Sequence, residues 1–580
     1  MSPVIRQVAS FTILGGILVA AIVISSGARL EEADVVFNNG SEISSVDPAT
    51  VTGVPEGRVI KAIFEGLTVK HPKTLEPMPG VAERWTISDD KRLYTFFLRK
   101  DARWSNGDPV TARDFVYSWE RFLNAETAAE YAYQLWYVEG AREYTTELDE
   151  DGKPKKGFET VGIRAVDDYT LEVRLLNPTP YFLELTAFYP LFPVNRRNIE
   201  EAKEKWPDEW RTRWLRPENL VTNGPYRIAF RRINDRLRLV KSETYWDADN
   251  VAMRSIDVLA VENYNTGLNL YLTGGADWID RVPLTHVQTL MKREDFNPSP
   301  YLGSYFYRVN VTRPPFDDVR VRRALCLAIP RQNIVENITR AGQLPALGLV
   351  PPMSNYRPAE FEPGTIEDAK QLLVDAGYGE GGRQFPTIEI HYNTSEAHRN
   401  IAEVIADSWR RNLGIDAKLL NQEWKVYLDT QRNIDYDVSR AAWIGDYVDP
   451  NTFIDMFVTD GENNKTGWGN PRYDELVESA KVEPDPTKRL VMLYEAETIL
   501  CRELPILPIY YYVTQNMVNP RLGGLYENIQ SEHFPKFWYW MDDEELAAKR
   551  ADAEFPKEMV PAHGPRDGLY SPAQQRARGG

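Results

Sequence analysis

The stretch Thr387-Ile-Glu-Ile-His-Tyr392 begins a succession of strand, helix and strand, residues 387–419, that predicts an α/β fold. It alternates apolar and polar residues, as a half-buried strand does. A stripe at helical spacing follows at Ile401, Ile405, Trp409 and Leu413. Gly414 suits a left-handed helix cap, and the period of two resumes at Ile415. A helix between two strands predicts a parallel pair, and ligands of such sheets bind beyond the carboxyl ends of the strands.

The next predicted strand, residues 437–442, leads into a turn that carries both signs of charge. Its sequence is Asp437-Val-Ser-Arg440-Ala-Ala-Trp443-Ile-Gly-Asp446-Tyr447-Val-Asp449-Pro450. A guanidinium, an indole and a carboxylate at a strand end suit a ligand with both charges, such as a short peptide. On an unbroken strand Arg440 and Asp446 would lie about 20 Å apart, and an extended tri- to pentapeptide spans about 10–17 Å. For the residues alone, mutual pairing or solvation is the more frequent outcome.

Further stretches resemble one protein family and occur in its order. They are Gly53-Val-Pro-Glu56, Phe64-Glu-Gly-Leu67, Trp104-Ser-Asn-Gly-Asp108, Thr111-Ala-Arg-Asp-Phe-Val-Tyr-Ser-Trp119, Thr222-Asn-Gly-Pro-Tyr226, Pro315-Phe-Asp-Asp-Val-Arg-Val-Arg-Arg-Ala-Leu325, His391-Tyr-Asn-Thr-Ser-Glu-Ala-His398, Asn421-Gln-Glu-Trp-Lys425 and Tyr510-Tyr-Tyr512. With residues 437–450 they resemble the oligopeptide-binding proteins, the family-5 solute-binding components of ABC importers. The resemblance covers roughly residues 34–540.

The resemblance implies an α/β fold of the periplasmic-binding-protein-like type II class. Such a fold has two lobes joined by crossing strands, and here an additional domain. The implied assignments are residues 34–64, 190–302 and 513–540 for lobe I, residues 303–512 for lobe II with most ligand contacts, and residues 65–189 for the additional domain. Residues 541–580 lie outside the resemblance, and their charged, Pro- and Gly-bearing composition predicts a disordered tail.

The same resemblance implies a site that binds a peptide without covalent chemistry. Asp446 matches the position that holds the peptide ammonium. Arg440 and His398 match positions that meet the peptide carboxylate at different peptide lengths. Trp424 and Trp443 match walls of side-chain pockets, although an unplaced Trp is as often a core residue. Further ligand-binding candidates are Val54, in a loop that bonds the peptide backbone, Asn393, Tyr133 or its neighbour Tyr131, and Tyr512.

One segment departs from the family pattern. The family usually has asparagines and small polar residues after a Gly-x-Ile-Asp turn, where this chain has Gly275-Ala-Asp-Trp-Ile-Asp-Arg-Val-Pro283. Trp278, Asp280 and Arg281 would change the shape and charge of the pocket if that strand lines the cleft. The preferred peptide length and sequence, and peptide itself as the ligand, therefore stay open.

The N-terminus predicts export. Arg6 precedes an apolar run over residues 11–24, and Ser26 with Ala28 forms a small-x-small cleavage site. That order is typical of a secretory signal peptide and predicts a periplasmic protein. An uncleaved membrane anchor within residues 1–30 remains the alternative.

Composition narrows the function classes. The formal net charge of −17 disfavours nucleic acid as a partner, because phosphates would be repelled. Cys326 and Cys501 are too few for a disulfide scaffold, and a bridge between them is the less favoured interpretation. The family disulfide implied by the resemblance would fall at Gly303 and Ile444, which are not cysteines. No metal-ligand spacing is present, so we expect no metal and no cofactor.

These observations predict the binding component of an ABC peptide importer. It would be a monomer, not an enzyme, that closes over a short peptide and delivers it to a membrane permease and its ATPase. One alternative is another ligand on the same fold: a dipeptide, murein peptide, haem, opine, sugar or nickel chelate. A secreted hydrolase is a second alternative, although the sequence has no GxSxG or HExxH motif. A periplasmic sensor or chaperone is the third.

Overall fold

The structure is a computed structural model that describes residues 30–353, 356–379, 382–552 and 557–566. Its strands form two six-stranded sheets, one four-stranded sheet and two short two-stranded sheets. The predicted signal peptide or anchor lies outside the described residues, apart from Leu30. Within the described ranges, no helix has the length and apolar character needed to cross a bilayer.

The first six-stranded sheet, here the lobe-I sheet, combines distant parts of the chain. Its spatial order is Met517–Val518, Trp278–Ile279, Val35–Asn38, Ser255–Leu259, Arg236–Lys241 and Tyr226–Arg232. Val35–Asn38 is buried throughout, as its continuous apolar run requires, and it pairs in parallel with both neighbours. The hairpin between the strands Tyr226–Arg232 and Arg236–Lys241 turns at Asn234, whose φ of 60° asparagine tolerates well.

The second six-stranded sheet, the lobe-II sheet, contains the predicted strand–helix–strand unit. Its spatial order is Leu344–Pro345, Ile506–Val513, Pro300–Val309, Val438–Ile444, Ile388–Asn393 and Ala417–Gln422. The last two strands are parallel, and the helix Glu396–Leu413 connects them. Gly414 ends that helix at a φ of 70°, which confirms the predicted left-handed cap. The predicted stripe packs inward, with Ile401, Ile405 and Trp409 fully buried.

Two long neighbouring strands connect the two sheets. Pro300–Val309 and Ile506–Val513 are antiparallel partners in the lobe-II sheet. Each continues at one end into the chain that forms the Trp278–Ile279 and Met517–Val518 edge of the lobe-I sheet. Gly303 lies directly opposite Ile444 across the strands. The disfavoured Cys326–Cys501 bridge is not formed, because both thiols are free and buried.

The third sheet is antiparallel and lies within residues 65–189. Its spatial order is Ala82–Ile87, Leu93–Leu98, Thr170–Arg174 and Ile163–Asp167. The helix Ala112–Leu123 begins with a capping box, in which the Asp114 carboxylate accepts a hydrogen bond from the Thr111 amide at 2.8 Å. Its Phe115, Trp119 and Phe122 side chains are buried in the core, as their helical spacing predicts.

The longer helices cover these sheets. Within the described residues they are Val54–Ile63, Ala112–Leu123, Arg196–Lys205, Tyr264–Leu272, Val319–Leu327, Ile366–Asp375, Glu396–Leu413, Trp424–Arg432, Pro471–Val482, Pro486–Glu503 and Asp543–Ala551. The residue limits assigned to the lobes and to the additional domain stay predictions.

Residues 541–552 and 557–566 differ from the predicted disordered tail. Asp543–Ala551 is a helix with a complete capping box. Farther on, His563 and Arg566 contact the carboxylate of Asp277, which is fully buried, at 3.0 and 2.9 Å. Arg550 pairs with Glu294 at 2.6 Å. A charged composition predicts disorder when charges face water, but here the basic groups neutralise acids of the lobe-I region, one of them fully buried.

Candidate ligand-binding site

Asp446 lies just beyond the carboxyl end of the strand Val438–Ile444. The preceding Gly445 allows this turn, since a Cβ there would lie 2.7 Å from the Leu302 side chain. The Asp446 amide donates to the Thr452 hydroxyl at 3.1 Å, which holds the turn in place. Beyond the strand end the Asp446 carboxylate meets the 65–189 region, where the Tyr131 hydroxyl donates to Oδ1 at 3.3 Å.

Asp446 is partly buried, and its carboxylate has no counter-charge. Gln134 Nε2 is its second donor, at 3.4 Å, and both of its donors are neutral. No Lys, Arg or His of the described chain lies within ion-pair distance of it. Burial raises the pKa of Asp446 from 3.8 to about 7, although the Tyr131 hydrogen bond and the more distant Lys70 oppose that rise. A partly buried, uncompensated carboxylate favours a cationic partner.

Arg440, on the same strand, is a buried guanidinium. It is 9% exposed, and its Nη2 and Nη1 donate to the Tyr512 hydroxyl at 3.0 Å and to Asn393 Oδ1 at 3.4 Å. The guanidinium lies over the Tyr305 ring at 4.8 Å from the centroid. Nε has no hydrogen-bond partner, and no carboxylate among the described residues pairs with Arg440. This end of the site therefore favours an anion.

His398 lies beside the same cluster. Its Nδ1 is 3.3 Å from the Tyr305 hydroxyl. Burial lowers the pKa of His398 well below its ordinary value, and the positive charges of Arg440 and Arg281 lower it further. The imidazole is therefore neutral at physiological pH. It can donate a hydrogen bond to an anion but contributes no charge.

Most of the remaining predicted site residues lie near one of the two charged groups, Asp446 or Arg440. The Tyr133 and Tyr131 rings are 6.1 Å apart, which places Tyr133 at the Asp446 end. Trp424 is half exposed and stacks on Tyr427, with 5.4 Å between the ring centroids. The Tyr427 hydroxyl donates a hydrogen bond to the Arg440 carbonyl. The structure thus gathers Asn393, Tyr512 and His398 around Arg440, and Tyr133 near Asp446.

Trp443 and Val54 have less direct connections to the charged groups. The Trp443 side chain is partly buried, and its indole Nε1 is buried without a hydrogen-bond partner. Val54 is half exposed at the first turn of the helix Val54–Ile63, four residues before Arg58. Positions four apart lie on one helix face, so Val54 and Arg58 face the same way.

The segment that departs from the family pattern lies partly in the core. Trp278 is buried, and its Nε1 donates to Asn516 Oδ1 at 3.0 Å, so it does not widen or narrow a pocket. Asp280 is neutralised by Arg58 at 2.9 Å. Arg281 is exposed, and its guanidinium donates to the Tyr264 hydroxyl at 3.4 Å. Of the three departures, Arg281 is the charged one that has no ion pair among the described residues.

A family model for "Bacterial extracellular solute-binding proteins, family 5 Middle" matches residues 76–465, about two thirds of the chain. The chain belongs to this solute-binding family. The periplasmic oligopeptide-binding protein OppA of Escherichia coli is 37% identical over 520 residues, which cover 88% of this chain and 93% of that protein. The resemblance inferred from the motifs is therefore confirmed.

Solved structures of the family share the fold. The murein tripeptide-binding protein MppA of Escherichia coli has a TM-score of 0.78 at 34% identity, covering 88% of this chain and 99% of its own. OppA of Haemophilus influenzae, solved as a complex with RPPGFSPFR, has a TM-score of 0.77 at 34% identity, covering 89% and 100%. The predicted periplasmic-binding-protein-like type II fold is confirmed.

Sequence reasoning on this solute-binding protein missed a buried bridge beneath Asp446. Gln530 Nε2 donates to the carbonyls of Gly445 and Asp446 at 3.2 and 3.1 Å. Lys70 donates to Gln530 Oε1 at 2.6 Å and pairs with Glu532 at 3.3 Å. The bridge holds the turn in place through backbone carbonyls. A lone Lys at the end of the short strand Thr68–Lys70 and a lone Gln in a turn carry no sequence signal for such a role.

The elevated pKa of Asp446 predicts a pH-dependent stability of the ligand-free protein. The folded state favours the protonated form of Asp446, so the stability linked to this group is fully present below its unfolded pKa of 3.8. That stability is lost as the pH rises through about 7, where the carboxyl of the folded protein ionises. At pH 8 we expect Asp446→Asn to be more stable than the wild type by about 2–4 kcal/mol, since each pKa unit corresponds to about 1.36 kcal/mol. At pH 5 the difference shrinks to about 1–2 kcal/mol, because the carboxyl of the unfolded chain, with its pKa of 3.8, is already mostly ionised there.

Denaturant unfolding of both ligand-free proteins at pH 5 and pH 8 measures this difference. Asp435→Asn is the matched control, because it removes the same charge from an acid whose side chain is 83% exposed. A stability gain that is equal at both pH values would show that Asp446 is not desolvated as described.

Proposed function

We propose that this protein captures short peptides between its two lobes and presents them to a membrane ABC permease and its ATPase. The observation that supports this proposal most is a pair of opposite charges on one strand and the turn after it. Arg440 is buried and Asp446 is partly buried, and the two do not form an ion pair. Each has neutral hydrogen-bond partners and no counter-charge among the described residues. A zwitterionic ligand supplies both counter-charges at once.

Physical chemistry favours a peptide among zwitterions. Enclosing a charged terminus without a partner costs several kcal/mol, whereas charge-assisted hydrogen bonds to Asp446 and Arg440 offset that cost. Hydrogen bonds to the peptide backbone between the termini would supply affinity that does not depend on sequence. Trp424 and Trp443 offer partly open aromatic surfaces for the side chains.

The relatives support the same proposal. OppA of Escherichia coli is named an oligopeptide-binding protein, and OppA of Haemophilus influenzae was solved with a bound peptide. We infer a binding protein rather than an enzyme, since capture and release require no covalent step. Periplasmic location and a monomeric state are part of the proposal, and the predicted export signal supports the first.

The test is calorimetric titration of ligand-free protein with free-terminus peptides of two to nine residues, preceded by native mass spectrometry of protein purified from its host. We expect a co-purified peptide, and one-to-one binding with micromolar or tighter affinity. Blocking both termini of the same peptides serves as the control and is expected to abolish binding. A co-purified non-peptide ligand, together with no heat from any peptide, would overturn the proposal.

A further inference from the structure

Arg281 lies just beyond the Trp278–Ile279 strand of the lobe-I sheet. It follows the strand Trp278–Ile279 by two residues, and Ile279 pairs antiparallel with Met517. Along that register the chain after Ile279 runs beside the chain before Met517, toward Tyr512. Tyr512 is the residue that accepts a hydrogen bond from Arg440. The lobe-I sheet thus directs Arg281 toward the anion-favouring end of the site.

The charges at this end do not balance. Arg58 is neutralised by Asp280 at 2.9 Å and lies over the Trp278 ring. Arg281 and Arg440 each donate to neutral oxygens, and neither forms an ion pair with a carboxylate of the described residues. The adjacent Asp280, which pairs with Arg58, acts on Arg281 only at longer range. Burial lowers the pKa of His398, and the charges of Arg440 and Arg281 lower it further, which supports a position of both cations near this residue. One peptide carboxylate would leave one of the two arginines without a counter-charge.

Resting on the proposed function, we propose that Arg281 is a specificity-determining residue that selects peptides with a second negative charge next to the C-terminal carboxylate. A C-terminal Glu or Asp provides it. Arg440, the buried and fixed cation, takes the main-chain carboxylate. Arg281 is exposed and donates a 3.4 Å hydrogen bond to Tyr264, so it can turn to the side-chain carboxylate.

Arg281 also couples recognition to closure. It comes from the lobe-I sheet, whereas Arg440 comes from the lobe-II sheet. A ligand with two adjacent negative charges therefore contacts a cation from each lobe, and it binds the closed state better than the open one. Such differential binding is what shifts a two-state equilibrium toward closure.

The experiment titrates the full chain with matched tripeptides and tetrapeptides that end in Glu, Gln or Lys. Peptides with Glu at the N-terminus test whether the position of the charge matters. The variants are Arg281→Gln and Arg227→Gln. Arg227 is the matched control, because it is exposed and lies on Tyr226–Arg232 at the opposite edge of the same sheet.

In the wild type we expect the peptide ending in Glu to bind at least about tenfold more tightly than the one ending in Gln. In Arg281→Gln that ratio falls to within about twofold, while the affinity for the Gln peptide stays within about threefold of wild type. Arg227→Gln keeps the wild-type ratio.

Two results would overturn the inference while leaving the proposed function intact. They are equal wild-type affinity for the Glu and Gln peptides, and an undiminished ratio in Arg281→Gln. Absence of binding by every peptide would instead refute the proposed function, and this inference with it.

Discussion

Asp446→Asn is expected to weaken the binding of a free-amine peptide by at least about a hundredfold, with little effect on its N-acetylated counterpart. The free ammonium gains a charge-assisted bond from a carboxylate that has no other cation. The acetylated peptide brings no charge, so it leaves the wild-type carboxylate buried and unpaired. Replacing that carboxylate with an isosteric amide removes this penalty, and the variant binds the acetylated peptide as well as the wild type or better.

Calorimetry with the four combinations of protein and peptide measures the coupling between the carboxylate and the ammonium. Asp455→Asn is a demanding control. Asp455 is a second, partly buried acid whose pKa is raised to about 7, mainly by burial and also by the charge of Asp446. Its carboxylate accepts a hydrogen bond from Asn451. We expect this control to discriminate between the two peptides as the wild type does. Equal losses for both peptides in Asp446→Asn would remove Asp446 from its proposed role.

Arg440→Gln is expected to have the mirror-image effect at the other end of the ligand. A peptide with a free C-terminal carboxylate should bind about a hundredfold more weakly, because its charge would be enclosed without the buried guanidinium. The C-terminal amide of the same peptide should lose less than about threefold. Arg440→Lys keeps the charge but not the planar contact with the Tyr305 ring, so an intermediate loss is expected.

The comparison uses acid and amide peptides of the same sequence, titrated into the wild type and both variants. Thermal unfolding of the ligand-free variants checks that the loss does not come from a disturbed sheet, since Arg440 packs on Tyr305 in the wild type. If acid and amide peptides lose affinity equally in Arg440→Gln, the carboxylate of the ligand is bound elsewhere.

The two charged residues of the site could be found from the sequence, but their partners could not. The motif around Asp446 and Arg440 was recognisable because it lies in one short segment, residues 437–450, with a family pattern. Their partners could not be found in the same way. Tyr131, which donates to Asp446, lies 315 residues away along the chain, and Tyr512 lies 72 residues from Arg440. Only the crossing of the strands and the approach of the lobes make them neighbours.

Local elements were within reach of the sequence because their causes are local. The helix Glu396–Leu413 follows from an apolar stripe and a terminal Gly414, and the capping box at Thr111 follows from a spacing of three residues. The tail shows where composition misleads. Its basic groups would be solvated in isolation, but His563 and Arg566 neutralise a carboxylate of Asp277 that the sheet has removed from water.

By itself the sequence determined the strands and helices, their order, and the presence of both charges at one strand end, because each depends on residues close together in the chain. The tertiary structure alone decided which charges are cancelled. Asp280 and Arg281 are adjacent in sequence, yet Arg58 neutralises the first and no carboxylate of the described chain neutralises the second. The physical reason is that an electrostatic interaction depends on distance and on exposure to water, and both are set by the packing of distant segments.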